Sequence, residues 1–342
     1  MNRRIFFKRL VAGIVVCAFS VALFTGFCAE KAKKQPARVY PAAGKIERNS
    51  FLLDKLFATN STVEKVAEGF VHAVGCLDYM GTVLVADIST NIIYQWSEER
   101  GAGIFQVLRV YSTNLGGLCG VSALAVDTAG KILVAHHGDR RILRREQAGR
   151  FVSLAEYFNW LRFNGPSSIA VKSNGEVYFV DPPFNVVDLG VGSPQKEILY
   201  NGIYRVTKNG FVDLLSRKVE CPMSLAFSPN ESKLYVLNNV ESNPVILEFT
   251  VRKDGALEQP STFLSLTNVM EKIKPSGLSV DRSGNLYVSA QVGVLVFSPT
   301  GRYLGIIKTE FPATSCSLDR AGKYLYITTP HSLLRVATST KK

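Results

Sequence analysis

Between Asn164 and Phe184 the chain enters through Asn164-Gly165-Pro166 and turns apolar at Ile169-Ala170-Val171. It breaks at Ser173-Asn174-Gly175, turns apolar again over Val177-Tyr178-Phe179-Val180, and stops at Asp181-Pro182-Pro183. That pattern predicts a β-hairpin, with Gly175 supplying the positive φ of the turn. Neither strand alternates cleanly between apolar and polar, so each is expected to be buried on both faces. The unit recurs at Leu124-Ala125-Val126 to Ile132-Leu133-Val134 and at Leu225-Ala226-Phe227 to Leu234-Tyr235-Val236. Further copies run from Leu278-Ser279-Val280 to Leu286-Tyr287-Val288 and from Ser317-Leu318 to Leu325-Tyr326-Ile327, with a degenerate copy at Gly81 to Asp87. A period of roughly 40 to 55 residues is that of a four-stranded propeller blade. About six copies predict an all-β, six-bladed propeller, because a β-sandwich does not repeat one turn signature at that interval. Upstream, Phe51-Leu52-Leu53 and Val63 to Val66 read as strands, one of which is expected to pair with the last blade and close the ring.

The chain has 342 residues, 46% of them hydrophobic, enough for one large β-domain. Its first part reads differently. Met1 to Arg9 is basic and Leu10 to Phe27 is almost wholly apolar, which predicts a signal peptide or membrane anchor over 1–29. Asn2-Arg3-Arg4-Ile5-Phe6-Phe7-Lys8 is similar to the twin-arginine export signal, against an ordinary signal that happens to hold Arg-Arg. Cys28 suggests lipidation, but the bulky Phe27 before it does not suit that processing. The expected location is therefore the periplasm, free or anchored. Lys, Ala, Pro and Gly dominate 30–50, which reads as a linker, leaving 51–342 for the propeller. The formal charge is +12, and about +8 without the leader's four basic residues. No basic stretch is interleaved with aromatics, so nucleic acid is not an expected partner, and membrane contact is expected through the N-terminal segment alone. Beyond the leader's Cys17 and Cys28, Cys76, Cys119, Cys221 and Cys316 show no metal-ligand spacing. They read as buried thiols, with disulfides possible after export.

Antiparallel hairpins bring the start of each inner strand and the end of the second strand to the same end of the blade. The entry residues near the axis are then Val74, Ser122, Ser167, Met223, Ser276 and Ser315. The exit residues on the rim are Asp87, His136, His137, Asp181, Asn238, Gln291 and His331. Together they surround the mouth of a central channel, the expected ligand site.

From Ile132 to Phe184, above all at His137-Gly138-Asp139-Arg140-Arg141-Ile142 and Tyr178 to Phe184, the chain resembles the gluconolactonase and senescence-marker-protein (regucalcin-like) propellers. Asn201-Gly202-Ile203-Tyr204-Arg205, Leu225-Ala226-Phe227-Ser228-Pro229 and Leu325-Tyr326-Ile327-Thr328 fit the same family in order. The resemblance covers Val63 to Val336 and implies six blades around a divalent metal, usually calcium, that serves lactone opening. It also implies where the metal ligands fall. The family's Asn of Pro-Asn-Asp falls on Ser167, that of the second Pro-Asn on Met223, and the Asp of Pro-Asp-Gly on Ser276. Its Glu falls on Glu68 in one register and on Val74 in the other. The spacing to the following turn favours Val74.

A set of Val74, Ser167, Met223 and Ser276 offers calcium no carboxylate, and Met offers a soft sulfur that hard cations disfavour. Neither calcium nor another divalent cation is therefore expected as a cofactor. Two functions follow. One is a module binding a small neutral or anionic ligand, or a protein, at the channel mouth. The other is a lactone or ester hydrolase with an altered site, in which His137, Asp181 and His331 are the candidates for base chemistry. A third reading makes the propeller an envelope spacer.

Overall fold

The computed structural model describes residues 38–108, 120–182 and 196–339. The leader, the first part of the expected linker (30–37), Cys119, Pro183 and Phe184 lie outside the described residues. Two strands precede the first blade, β1 (Gly44–Arg48) and β2 (Val63–Glu68). Blade 1 is β3 (Ala73–Tyr79), β4 (Thr82–Asp87), β5 (Ile92–Ser97) and β6 (Gly101–Val107). Blade 2 is β7 (Val121–Val126), β8 (Ile132–His136), β9 (Arg141–Arg145) and β10 (Phe151–Ala155), followed by a small hairpin, β11 (Tyr157–Phe158) and β12 (Leu161–Arg162). Blade 3 is β13 (Ser168–Val171), β14 (Val177–Asp181), β15 (Gly202–Val206) and β16 (Val212–Ser216). Blade 4 is β17 (Pro222–Phe227), β18 (Lys233–Asn238), β19 (Val245–Thr250) and β20 (Ser261–Ser265). Blade 5 is β21 (Pro275–Val280), β22 (Leu286–Ala290), β23 (Gly293–Phe297) and β24 (Tyr303–Thr309). Blade 6 is β25 (Ser315–Leu318), β26 (Tyr324–Thr328) and β27 (Ser332–Ala337), completed by β2 as its outer strand. The six-bladed propeller expected from the repeat is the fold.

The hairpin turns explain the repeat. Gly175 donates its N–H to the Lys172 carbonyl at φ +91°, and Gly284 does the same to Asp281 at φ +84°. A residue with a Cβ is strained there. The core is not one mass but six clusters, one between each pair of neighbouring blades. Between blades 2 and 3, for example, Phe179 and Tyr204 stack and Phe163 meets both edge-on, with ring centroids 5.0–5.4 Å apart. Every second strand therefore has an apolar neighbour on each face, which is why β14 is buried along its whole length and its sequence does not alternate.

Closure joins β2, which precedes the first blade, to the last blade. β2 pairs antiparallel with β27, Val63 opposite Val336 and Glu68 opposite Ser332. Arg335 holds this seam. Its guanidinium pairs with Glu64 at 2.7 Å and Glu98 at 2.8 Å, and lies over Tyr324, Tyr40 and Trp96 at 4.7, 5.2 and 5.6 Å. It thus ties β2, β27 and blade 1 together.

Two upstream expectations change. Gly44–Arg48 lies in the stretch read as linker, yet it is β1 and adds a fifth strand to blade 5, with Gly44 opposite Thr309. A Cβ on Gly44 would sit 2.1 Å from the Lys308 carbonyl oxygen, so the glycine read as a linker signal is a close-approach residue. Phe51–Lys55 forms a 3-10 turn, capped by the Ser50 hydroxyl, instead of a strand.

At the mouth end, the last residue of a second strand, or in blade 5 the residue just after it, holds the chain that enters its own blade. Asp87 accepts the Val71 N–H, Asn238 that of Cys221 and Gln291 that of Lys274. Asp181 accepts two, from Asn164 and Gly165, at 2.8 and 2.7 Å. These side chains are staples that satisfy backbone donors in a loop with no strand to pair with.

Arg335→Ala is expected to lower stability by about 2–3 kcal/mol in urea unfolding, with Arg335→Lys recovering less than half, because a lysine cannot stack and pair at once. Asp181→Ala orphans two buried N–H groups and is expected to cost about 2–4 kcal/mol. Burial pushes the Asp181 carboxyl up to about 7 despite its two donors. A folded-state value above the unfolded one gives stability present below pH ~4 and lost as pH rises through ~7. The stability of wild type relative to Asp181→Asn should therefore fall between those values, as read from urea midpoints across pH.

Candidate functional site

The site begins with a register defect. In blade 1 Ala73 pairs with Asp87 and Gly75 with Ala86, so Val74 has no partner. The same β-bulge leaves Ser122 between Val121 and Ala123, Met223 between Pro222 and Ser224, and Ser276 between Pro275 and Gly277. In blade 3 Ser167 donates its N–H to the Val180 carbonyl, opposite Ser168, and in blade 6 Thr314 donates to Thr328, opposite Ser315. Both therefore occupy the same extra position. A bulge re-aims its side chain, and here the six re-aimed residues line one channel.

Five of these six positions are the entry residues expected from the sequence. The sixth is Thr314. Ser315 also lines the channel, one residue deeper, in the place that Gly75, Ala123, Ser168, Ser224 and Gly277 take in the other blades. The signal was present in the spacing. Ser122, Ser167 and Ser276 each stand eight residues before the turn glycine, and so does Thr314 before Gly322. The two registers for the family's Glu are also separated. Glu68 ends the outer strand of blade 6, its side chain 66% exposed and paired with Lys65. Val74 holds the channel position.

The ring is wired from blade to blade. Ser122 Oγ donates to the Pro166 carbonyl at 2.8 Å, Ser167 Oγ to Met223 at 2.9 Å, Ser276 Oγ to Ala313 at 2.7 Å, and Thr314 Oγ1 to Ala73 at 2.7 Å. Met223 has no proton to give, and Asn239 Nδ2 supplies that junction from the rim by donating to Pro275 at 3.1 Å. Between blades 1 and 2 the backbone does the work, with Gly120 N–H donating to Ile88 at 2.8 Å. The channel volume is about 360 Å³. Its lining, among the described residues, contains no Asp, Glu, Lys, Arg or His. Farther from the mouth the lining turns apolar at Leu77, Val171, Phe227, Val280 and Leu318.

The rim residues do not assemble into a base pair around this ring. Asp87, Asp181, Asn238 and Gln291 are the staples already described. His137 Nδ1–H donates to Gly165 at 3.0 Å and His331 Nδ1–H to Phe70 at 3.2 Å. His136 is fully buried and accepts the Asp139 N–H on Nδ1. Sequence reasoning passed over His72, which lies near Asp87 and His331. Burial holds its imidazole below the usual range, with His331 adding to that and Asp87 opposing it. No repeat position marks it. Cys76, Cys221 and Cys316 are free thiols, and burial pushes Cys316 up to about 11, so it is inert packing.

A family model described as SMP-30/Gluconolactonase/LRE-like region matches residues 68–331. The chain is 30% identical over 313 residues to the gluconolactonase of Zymomonas mobilis, covering 87% of each protein. Among solved structures, a gluconolactonase from Xanthomonas campestris superposes with a TM-score of 0.77 at 26% identity, over 89% of this chain and 99% of that one. The calcium-binding protein regucalcin from Agrobacterium tumefaciens shares the fold, with a TM-score of 0.64 at 16% identity over 90% of this chain and 98% of its own. With the matched segment running from the end of β2 to the residue before β27, this chain belongs to the SMP-30/gluconolactonase/LRE-like family.

Proposed function

We propose that the chain is an exported binding propeller of this family that does not open lactones with a divalent metal. One observation carries the reading. The positions that the bulges turn into the channel are Val74, Ser122, Ser167, Met223, Ser276 and Thr314, and none bears a charge. Calcium takes about 6–8 oxygens and relies on carboxylates to offset its lost hydration. This donor set does not fit it: two positions offer no oxygen, and the four hydroxyls are neutral and hold neighbouring blades together. The module binds a small molecule or a protein surface at the mouth, and the basic, then apolar, N-terminal segment directs it out of the cytoplasm.

The 30% identity with a gluconolactonase favours a second reading, a hydrolase with a changed site. It would have to recruit His137, Asp181 or His331. Both oxygens of Asp181 already accept backbone N–H groups, and each histidine's Nδ1–H is given to a carbonyl, so base chemistry would fall to Nε2 atoms of residues that do not line the channel.

The purified protein is expected to open aldonolactones no faster than buffer, with or without added calcium, manganese or zinc, and to show no near-stoichiometric metal by calorimetry. Placing Glu at Val74, Asn at Ser167 and Met223, and Asp at Ser276 in one variant is expected to create calcium binding and metal-dependent opening. Lactone opening by the wild type that a chelator abolishes would overturn the proposal.

A further inference from the structure

Five arginines fall within eleven residues of blade 2: Arg140, Arg141, Arg144, Arg145 and Arg150. Three meet carboxylates. Arg140 pairs with Glu197 at 3.1 Å, Arg141 with Asp139 at 3.4 Å and Glu156 at 3.6 Å, and Arg144 with Glu146 at 2.7 Å. Arg145 and Arg150 have no carboxylate partner among the described residues. Both belong to the outer groove between blades 1 and 2. A cavity of about 340 Å³ lies there, walled by Gln106 and Val107 of β6 and by Arg141, Leu143, Arg150 and Ser153 of blade 2. Its one acidic residue, Asp139, is the partner of Arg141, and it shares no residue with the channel. Arg145 is set against this cavity. Its guanidinium lies over the Phe105 ring at 5.0 Å. Its Nη2 stands over Gly149 of the cavity wall, 3.1 Å from where a Cβ would be, so no side chain covers it there. Its Nε–H is buried with no acceptor among the described residues. Nε–H and Nη2 form the edge with which a guanidinium grips an oxyanion. Elsewhere the chain uses that edge on its own carboxylates. Arg205 gives both donors to Asp213 Oδ2 at 3.2 and 2.6 Å, and Arg335 gives both to Glu64 Oε2 at 3.0 and 2.7 Å. A buried charged donor left without an acceptor is costly, and Arg145 keeps one at the edge of a cavity.

We infer that this groove is a second binding site, separate from the channel, for a small organic phosphate. The Nε/Nη2 edge of Arg145 takes two of the phosphate oxygens, and Arg150 supplies the second positive charge. A carboxylate would balance only one of these two cations, whereas a phosphate monoester carries close to two negative charges and three acceptor oxygens. Gln106 meets the same spot with its amide, whose rotation exchanges an acceptor for a donor without changing shape. Leu143 and Phe151 belong to the apolar cluster between blades 1 and 2 and also line the cavity, so an apolar body attached to the phosphate has a floor to cover. The volume of about 340 Å³ lies at the small end of ligand sites, which suits an ester of a single ring. The site does not depend on how the channel is used.

Titration calorimetry of the full chain with phenyl phosphate and with benzoate, which share a ring and differ in charge, is expected to show the phosphate binding at least about tenfold tighter. Arg145→Lys keeps the charge but loses the fork, and is expected to weaken phenyl phosphate at least about tenfold. Arg145 also stacks on Phe105, so that variant is checked by circular dichroism. Should it fold poorly, Ser153→Glu leaves every arginine in place and sets a carboxylate in the cavity, with the same loss expected. Failure of phenyl phosphate to bind the wild type at millimolar concentration would overturn the inference. So would binding that either folded variant leaves unchanged, or inorganic phosphate binding as tightly as the ester. Metal-dependent lactone opening would sink the preceding proposal instead and leave this site standing.

Discussion

Each inner strand of the propeller carries one residue more than its partner strand can pair. That surplus residue cannot join the ladder, so its side chain turns into the channel, and six such bulges make the ring at the mouth. A bulge at the start of a strand also leaves the preceding carbonyl without a partner in its own sheet. The hydroxyls of Ser122, Thr314 and Ser276, and the amide of Asn239, meet those carbonyls on the next blade: Pro166, Ala73, Ala313 and Pro275. Ser167 reaches the carbonyl of the surplus residue itself, Met223. One backbone irregularity thereby creates both the channel lining and the bonds that hold the blades in register around it.

This double use has a chemical consequence. A carboxylate at a ring position could grip a cation but has no proton to give to the next blade. A serine does the reverse. The chain has serine or threonine at four of the six places, and those hydroxyls spend their protons on backbone carbonyls of the neighbouring blade. The apolar clusters between blades supply most of the cohesion, and they are indifferent to this exchange because they lie outside the ring. The walls can be retained while the mouth changes. The rim follows a related economy: Asp87, Asp181, Asn238 and Gln291 look like a polar crown in the sequence, but each is turned back to secure its own blade's incoming loop.

The sequence by itself determined the number of blades, the hairpin at the heart of each and the strand that closes the ring. Those features rest on local rules: the period of the apolar runs, the glycine at the turn and the need to cover a sheet edge. It also placed Val74, Ser167, Met223 and Ser276 at the axis, because the distance from turn to bulge is a local count. Tertiary structure decided the rest. Whether the strand extends past a carbonyl to put Thr314 or Ser315 in the ring depends on pairing with β26, and whether Gly44–Arg48 is tether or fifth strand depends on the free edge of β24, more than 250 residues away. Above all, the role of a hydroxyl or a carboxylate is set by which backbone group lies within about 3 Å of it. That group belongs to a neighbouring loop or blade, so no reading along one strand can supply it.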